Sequence, residues 1–440
     1  MRNLSTFLYE WKHFVRSPFK VIAFLMFLLA AIYGLHNGAK LYKTQLVEID
    51  TIKQKIEKDR EENIAFYEAG EKGPKDKLWI DITKPFWAIW LGKTYLFKSP
   101  SPGLVYSTGE SEQYGFYKQV SIWASTMDSD MTKEIANPER LQIGMLDFSF
   151  ALLYLLPLLL MILLYNLRSS EAEENFLMLI QVQAASINSW LLSRVIFYML
   201  LTLLSVIILL VYGAMLTGVF SSNSSIFNNL FLYSLLYLVF WGGIYYLILR
   251  NGRLIINNTL KMVGIWLLFT FVIPAISLQW ISIRKPVNYM VDYIEASRDE
   301  TRDLYDLPDS IILDRLNILF SEPLKGSEEE KEAKIRKVKR VAFAALANEL
   351  IKNKVESIEI ENESKNHSVR TTYFFSPVTF FQNCFNKVSY SHYDDYRQFR
   401  EDIQYLIDKQ IKVLLKDSWN EVIVDKDKYI DYTKELVKVD

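Results

Sequence analysis

The sequence predicts a mainly α-helical membrane protein with about five transmembrane helices and two extracytoplasmic domains, each α or α+β. Three observations lead to this fold class: long runs without any charge, dense charges between those runs, and basic residues at their flanks. The overall composition conceals this segregation, since the 440 residues are 50% hydrophobic and carry a formal net charge of -1. Such a pattern is typical of a membrane protein with water-exposed appendages, and not of one large soluble core.

Four uncharged stretches define the predicted spans. They cover residues 21–39, 148–167, 195–249 and 262–283. A helix needs about 20 apolar residues to cross about 30 Å of hydrocarbon. At about 1.5 Å per residue the third stretch is too long for one crossing. We therefore predict a break at residues 218–229, where Gly, Ser and Asn favour a polar turn, and five spans in all.

Basic residues near the spans predict a cytoplasmic N-terminus. Four precede the first span, against a single acid: Arg2, Lys12, Arg16 and Lys20. Three more separate the fourth span from the fifth: Arg250, Arg253 and Lys261. An odd number of spans then leaves the C-terminus outside. The first span also resembles a signal peptide, but a signal anchor fits better because no small-residue cleavage site follows.

These predictions divide the chain into four parts. Residues 1–39 form a cytoplasmic N-terminal segment and the first span, and residues 40–147 form the first extracytoplasmic domain. Residues 148–283 contain spans two to five, with a cytoplasmic segment at 168–190. Residues 284–440 form a C-terminal extracytoplasmic domain that is mainly helical.

Helical spacing of apolar residues predicts three helices in the outer parts. Residues 40–68 continue the first span as a stalk, or else form a solvated helix that packs on its own domain. Two more helices are predicted at residues 327–356 and 393–419. A stretch with Trp79, Trp87 and Trp90 suits either the headgroup level of the membrane or an ordinary aromatic core.

The sequence contains no recognisable catalytic motif. The patterns GxxxxGK[ST], GxSxG and HExxH are all absent, so the chain lacks an ATPase site of its own. One cysteine, Cys384, excludes an intrachain disulfide, and four histidines argue against a zinc cluster. We expect no catalytic residue, cofactor or metal site, and the near-neutral charge indicates no nucleic-acid partner. A membrane enzyme that uses outer carboxylates stays an alternative.

One segment between the second and third spans has a distinct pattern. Three acids are predicted to open an amphipathic helix, where they suit the positive end of the helix dipole: Glu171, Glu173 and Glu174. Four side chains then supply an apolar surface: Phe176, Leu177, Leu179 and Ile180. Such a helix either contacts a cytoplasmic partner or lies on the membrane surface without one.

At this segment the chain resembles the ABC-2 type transporter permease superfamily, whose members carry roughly E-x-E-x-G-T-L-x-L-L-x-x-Q-P after their second span. The positions that fit are Glu171, Glu173, Leu177, Leu179, Ile180 and Gln183. The chain departs from the pattern at three positions, where Asn175 replaces Gly, Phe176 replaces Thr and Ala184 replaces Pro.

A narrower resemblance covers most of the chain. The sequence is similar to a bacterial permease family that is catalogued as a domain of unknown function and has two extracytoplasmic regions. Three stretches carry this similarity: residues 109–121, residues 144–158 with Tyr165 and Asn166, and residues 375–382 with the helix that follows.

The resemblance implies a permease subunit of an ABC transporter in the bacterial cytoplasmic (inner) membrane. A separate ATPase, with ATP and magnesium bound to it, would dock on the cytoplasmic face at the segment from Glu171 to Gln183. A second permease chain, identical or paralogous, would complete the complex within the membrane lipid, and the direction implied is export.

The alternative is a mechanotransmission component that acts on a periplasmic partner without transporting a solute. The centres of the predicted spans contain no Lys, Arg, Asp or Glu, so no ion relay is visible. This favours a hydrophobic cargo or mechanical transmission over small-ion transport.

Overall fold

The computed structural model describes residues 2–127, 146–183, 186–252, 254–284, 304, 307–320 and 328–437. The described chain is mainly helical, and five of its helices are long and apolar enough to cross a membrane, which is the predicted number. We number them as the first to fifth membrane helices: Pro18–Glu68, Phe148–Glu173, Ile187–Thr217, Ser224–Asn251 and Ile255–Arg284. An additional helix, Arg2–Arg16, precedes them and is called the N-terminal helix.

The first membrane helix runs without interruption for 51 residues, from Pro18 to Glu68. Pro18 suits the first turn, where a backbone N–H has no helical partner. After the helix ends, Gly70 has a φ of +67°, a conformation that favours glycine. At about 1.5 Å per residue the helix is about 76 Å long. The predicted stalk is therefore a direct continuation of the first span.

The predicted break between the third and fourth membrane helices is confirmed. Gly218 ends the third helix with a φ of +70°, which costs glycine little because it has no Cβ. A short helix, Val219–Ser222, follows. The side chain of Asn223 then caps the fourth helix by accepting a hydrogen bond from the backbone of Ser225 at 3.1 Å.

The second and fifth membrane helices each contain a π-helical turn, at Ala151–Leu155 and Leu268–Val272. In the second helix the flanking α-helical parts are Phe148–Phe150 and Leu156–Leu164, and in the fifth they are Ile255–Leu267 and Ile273–Arg284. π-Turns are rare and occur mostly at functional positions.

Aromatic side chains bond to the backbone of the second membrane helix around its π-turn. Tyr237 of the fourth helix donates to the carbonyl of Leu153. From the fifth helix, Trp266 Nε1 donates to the carbonyl of Tyr154 at 3.2 Å. These hydrogen bonds hold three membrane helices together without any charge.

The two hydrophilic segments, residues 40–147 and 284–440, are called the outer segments after their predicted location. Their described parts combine helices with one small sheet. Strands β1 (Thr94–Phe97) and β2 (Tyr117–Val120) are antiparallel, with Thr94 opposite Val120. Short helices accompany them: Pro85–Leu91, Pro102–Val105 and Gly109–Glu112. The described part of the C-terminal segment contains six helices: Asp309–Leu319, Glu328–Thr371, Thr372–Phe374, Pro377–Val388, Tyr393–Trp419 and Lys426–Glu435.

The predicted outer helices are found, with one longer than expected. The helix predicted at residues 393–419 has those bounds. The helix predicted at residues 327–356 is described from Glu328 and continues to Thr371, while residue 327 lies outside the described part. Its second half carries charges on most turns, so no apolar periodicity marked the true end.

Two hydrophobic clusters organise the molecule. The larger one packs the membrane helices together. The second, called the outer core, takes side chains from both hydrophilic segments: Ala88, Ile89 and Val120 come from the first, and Phe399 and Ile403 from the second. In the described residues the two outer segments thus share a core, against which the far end of the first membrane helix also packs.

The tryptophan stretch is partly exposed and partly buried. Trp79 and Trp90 are exposed, whereas Trp87 is half-buried and its neighbours Ala88 and Ile89 belong to the outer core. Asn63 of the first membrane helix donates to the carbonyl of Leu91 at 3.2 Å. The stretch therefore borders a core, and its position relative to the headgroups stays a prediction.

A helix of the C-terminal outer segment also packs on the membrane helices. This junction helix, Pro377–Val388, begins at Ser376, whose hydroxyl accepts from the backbone of Thr379. Phe381 and Phe385 join the membrane cluster, and the Phe381 ring lies 5.0 Å from that of Tyr237. The C-terminal outer segment is therefore in direct contact with the fourth membrane helix.

Candidate functional site

The coupling segment, residues 168–190, forms two short helices instead of the single helix that was predicted. They are Ser169–Glu173 and Leu177–Gln183, and residues 184–185, with Ala184, lie outside the described part. Asn175 separates them with a φ of +61°, a left-handed conformation that asparagine tolerates better than most residues. This is the position where the superfamily pattern has glycine, so the turn keeps the conformation that glycine favours.

Two of the three acids in the segment bind to the chain itself. Glu171 is half-buried, and its Oε1 lies 3.3 Å from Arg194 of the third membrane helix. Glu173 accepts a hydrogen bond from the backbone N–H of Ile255 at 2.9 Å, at the start of the fifth membrane helix. Glu174 is exposed. The acids therefore fasten the segment to two membrane helices.

Some apolar side chains of the segment are half-buried, and others are exposed. Leu177 and Ile180 are half-buried against the chain. Leu179 is 59% exposed, and two neighbours that the pattern did not include, Met178 and Val182, are 81% and 87% exposed. Phe176 is also exposed. The side chain of Gln183 lies outside the described part. The second short helix thus presents an apolar surface that its own chain leaves uncovered.

A buried ionic cluster lies directly beneath this segment. Arg194 is 3% exposed and donates both to Glu10, which is fully buried, and to the carbonyl of Leu167 at 2.7 Å. Its guanidinium also lies 4.7 Å from the ring of Trp190. Through Arg194, the coupling segment is joined to the N-terminal helix, which carries Glu10.

Sequence reasoning missed this cluster. The predicted uncharged stretch begins at residue 195, directly after Arg194, and Glu10 is the single acid among the basic residues before the first span. The signal was available, because one acid on an amphipathic N-terminal stretch and one arginine at the edge of a span are groups that need partners when buried.

A second buried cation sits beside the cluster. Lys20, at the start of the first membrane helix, donates to the carbonyl of Leu163 at 2.8 Å and lies 4.8 Å from the ring of Tyr198. Lysine near the last turn of a helix favours its exposed carbonyls. The contact ties the beginning of the first membrane helix to the end of the α-helical part of the second.

The fourth and fifth membrane helices are also fastened to the segment. Arg168 donates to the carbonyl of Leu249 at 3.1 Å, and Asn258 donates to the hydroxyl of Ser169 at 2.6 Å. All five membrane helices and the N-terminal helix therefore meet around residues 163–173. Within this region, the segment itself contacts the third, fourth and fifth membrane helices.

A polar joint lies at the opposite end of the second membrane helix. Asp147 is buried and accepts from the backbones of Phe150 at 2.7 Å and Thr108 at 3.1 Å. Burial raises the pKa of the Asp147 carboxyl, and these hydrogen bonds oppose the shift. Ser149 also donates to Asp147 and accepts from Gln382 of the junction helix at 3.0 Å.

The joint brings together the chain regions that carried the narrower resemblance. Asp147 and Ser149 belong to the second stretch, Gln382 to the third, and Thr108 directly precedes the first. On the far side of Gln382, Asn386 accepts from Ser107 at 2.6 Å. Side chains that are far apart in sequence thus form one network where the membrane helices meet the outer segments.

Titratable groups in the outer segments serve local packing. Asp417 accepts from Tyr432 at 2.6 Å, and Arg400 donates to Glu359 at 2.6 Å. In the described part of the chain, no group of three His, Cys, Asp or Glu residues is placed to hold a metal ion.

No protein-family model, curated protein or solved structure matches the chain.

Proposed function

We propose that this chain is the membrane (permease) subunit of an ABC-2 type complex, which couples ATP hydrolysis by a separate ATPase to export. The observation that carries the proposal is the division of the coupling segment into two faces. Two of its three acids, Glu171 and Glu173, bind to the third and fifth membrane helices, while the apolar side chains of Met178, Leu179 and Val182 are exposed. Exposed apolar patches next to polar residues are typical of protein interfaces.

The buried ion pairs make the segment a stiff connection. Removing one partner of a buried pair costs about 3–5 kcal/mol, so the contact of Arg194 with Glu10 persists when the segment is displaced. Movement of a docked ATPase would then reach the third membrane helix and the N-terminal helix together. ATP and magnesium belong to the ATPase, and this chain binds no cofactor in the scheme.

The setting is the bacterial cytoplasmic membrane, with the N-terminus inside. The fifth membrane helix has mostly exposed apolar side chains, which lipid or a second permease chain would cover. We propose a dimer, identical or paralogous, in keeping with the superfamily that the coupling segment resembles.

Mechanotransmission is a second candidate, and one observation favours it. The first membrane helix continues unbroken into the outer core, where Ile64 and Tyr67 pack. A movement at its membrane end would be carried to the outer segments without a solute having to cross.

The docking test replaces outward-facing residues. We expect Leu179→Asp and Met178→Asp to abolish co-purification with a P-loop ATPase encoded beside this chain and to reduce stimulated ATP hydrolysis at least about tenfold, because a buried charge at an interface is strongly unfavourable. Leu78→Asp, at an exposed leucine of the outer part, is the matched control. If the Leu179 and Met178 variants bind and stimulate like the control, the docking assignment is wrong.

Charge reversal of Glu171 or Glu173 would be a poorer test. Both side chains hold the chain's own helices, at Arg194 and Ile255, so a reversal would disturb folding as well as docking. Glu174→Lys is cleaner, since Glu174 is exposed.

A second experiment separates export from mechanotransmission. Lys55 is exposed in the middle of the outer half of the first membrane helix, and Lys55→Pro would break that half. Mechanotransmission predicts that spin-label distances between the membrane and outer parts no longer respond to ATP, whereas Lys55→Ala still responds. An ATP-driven distance change that survives in Lys55→Pro would exclude the mechanical route through this helix.

A further inference from the structure

A cavity of about 600 Å³ opens on the outer core. Its wall includes Thr83, directly after Ile82, whose carbonyl accepts from Tyr67 of the first membrane helix at 2.6 Å. Tyr67 is about 42 Å along that helix from residue 39. The cavity therefore belongs to the part of the molecule that is far from the coupling segment. Its volume falls within the range of about 300–1,000 Å³ that is typical of small-molecule sites.

The cavity holds an arginine that is positioned but not paired. The guanidinium of Arg340 lies 5.2 Å from the ring of Phe86 and 5.9 Å from that of Trp87. Phe86 and Trp87 are themselves in edge-to-face contact at 5.1 Å. In the described part of the chain, Arg340 has no hydrogen bond and no ion pair. The side chain of Arg340 is exposed, so its N–H groups are accessible to a ligand.

The charged side chains that line the cavity indicate which kind of ligand it would bind. Lys84 adds a second cation to the lining, and its ammonium also has no ion pair among the described residues. Glu421 is the carboxylate of the described lining. Two cations against one carboxylate favour an anionic ligand. A planar guanidinium binds a carboxylate through two parallel hydrogen bonds.

Apart from Thr83 and Ser418, the remaining wall is apolar. Phe86, Trp87, Val422 and Ile423 all line the same space. Ile423 is 78% exposed, so its side chain is accessible to a ligand. A ligand that joins a carboxylate to an apolar group would contact both kinds of wall at once.

We propose that this cavity binds an apolar carboxylic acid, with the carboxylate on Arg340 and Lys84 and the apolar group against Trp87 and Ile423. The acid is either a free small molecule or the C-terminal residue of a peptide. The inference does not depend on the proposed coupling to an ATPase, because it concerns a different part of the molecule and its test measures binding alone.

The test uses the full chain in lipid nanodiscs, labelled with 5-fluorotryptophan. The probe is N-acetyl-leucine, and the ¹⁹F resonance of Trp87 is assigned with Trp87→Phe. We expect a saturable shift of this resonance with a Kd of about 1 mM, a usual strength for so small a ligand. The resonance of Trp241, which is fully buried among the membrane helices, should not move and reports that the chain is folded.

Two variants and one neutral probe decide the outcome. N-acetyl-leucinamide should shift the Trp87 resonance at least about tenfold more weakly, and so should N-acetyl-leucine on Arg340→Gln or Lys84→Gln, since a charge-assisted hydrogen bond is lost. Lys412→Gln, at an exposed lysine outside the cavity, should bind like the unaltered chain. Equal binding of acid and amide, equal binding by Arg340→Gln, or no shift up to about 20 mM acid would overturn the proposal.

A second probe, a short peptide, tests whether the carboxylate comes from a chain end or from a free small acid. The free acid of the peptide Ala-Ala-Ala-Ala-Leu should bind more tightly than N-acetyl-leucine if the natural ligand is a chain end, because further residues reach the rim of the cavity. Tighter binding of N-acetyl-leucine points to a free small acid, and either result supports the site when it requires Arg340.

Discussion

Tyr237 shows how a single hydroxyl stabilises an irregular membrane helix. Pro157 has no backbone N–H to offer the carbonyl of Leu153, four residues before it. The hydroxyl of Tyr237 donates to that carbonyl from the fourth membrane helix. In hydrocarbon no water replaces a missing hydrogen bond, so the tyrosine supplies at a distance what the proline removes locally.

We expect Tyr237→Phe to lower the free energy of unfolding by about 1 kcal/mol, which is the usual effect of losing one hydrogen bond within a membrane protein. The measurement is unfolding of the chain in bicelles. Tyr233→Phe is the matched control, because Tyr233 lies on the same helix, is half-buried, and has no hydrogen bond from its hydroxyl among the described residues. Equal destabilisation by the two substitutions would contradict the role given to Tyr237.

His392 carries a pH-dependent cap. Its Nδ1 accepts from the backbone N–H of Asp394 at 3.1 Å, at the start of Tyr393–Trp419, and only neutral histidine can accept. Burial lowers the pKa of His392 below its ordinary value of 6.5; Lys387 adds to this shift, and Asp394 opposes it. The folded state therefore binds fewer protons than the unfolded state between these two values.

Stability should fall as the pH drops below 6.5 towards the lowered folded pKa, and be unaffected by this group above 6.5. His392→Asn keeps a capping side chain without the titration. From about pH 7 to about pH 5, the unaltered chain should lose about 1 kcal/mol more unfolding free energy than His392→Asn. Parallel losses in chemical denaturation would show that His392 does not titrate in this way.

At the residue scale, the sequence marks residues 168–190 as a distinct segment but does not predict the contacts that anchor it. The acids and leucines of residues 171–180 follow a pattern that is readable from local spacing. The partners of Glu171 and Glu173 are Arg194 and Ile255. Local sequence spacing does not predict contacts between separate helices. The ionic contact of Arg194 with Glu10 was not predictable for the same reason.

Among the elements, the coupling segment depends most on one backbone conformation. Asn175 ends one short helix and precedes the next with a φ of +61°. The backbone N–H of Phe176 then donates to the carbonyl of Glu171 at 2.9 Å. Without this turn, the apolar surface of Leu177–Gln183 would point elsewhere relative to the anchored acids.

Asn175→Ala should destabilise the turn by about 1 kcal/mol, since a left-handed conformation is costly for alanine. Amide hydrogen exchange of residues 171–183 should then be about fivefold faster. Asn175→Gly should exchange at the rate of the unaltered chain or more slowly, because glycine adopts this conformation freely. Faster exchange in the glycine variant than in the alanine variant would contradict the role of φ.

Long elements were predictable, and short ones were not. Hydropathy over about 20 residues identifies a span, and apolar spacing found Tyr393–Trp419 with its bounds. The junction helix has 12 residues, too few for a span, and its burial depends on membrane helices that are remote in sequence. The π-turn at Ala151–Leu155 likewise leaves no periodic mark in a stretch that is apolar all round.

For the whole molecule, close backbone contact joins the first membrane helix to the outer segments. A Cβ at Gly38 would lie 2.4 Å from the carbonyl oxygen of Leu104 and 2.7 Å from that of Val105. Gly34 approaches Asp147 in the same way. The first membrane helix is thus packed directly against the polar joint.

Gly38→Ala should lower the free energy of unfolding by about 1–3 kcal/mol, because backbone cannot move aside as a side chain can. Gly243→Ala is the control, since a Cβ there meets nothing within 4 Å, and it should leave stability unchanged or slightly raised. Thermal unfolding of the two variants in nanodiscs measures the difference. Equal stability of the two variants would show that the contact at Gly38 yields without cost.

Because the first membrane helix is unbroken, a small tilt at its membrane end would displace its far end by a larger distance. Its outer part extends about 43 Å from residue 39 to Glu68 at about 1.5 Å per residue. If the helix pivots as a rigid rod near residue 39, a tilt of about 10° displaces its far end by about 7 Å over this length. Small angular changes within the bilayer would then become displacements about the size of an amino-acid side chain beside the cavity of Arg340.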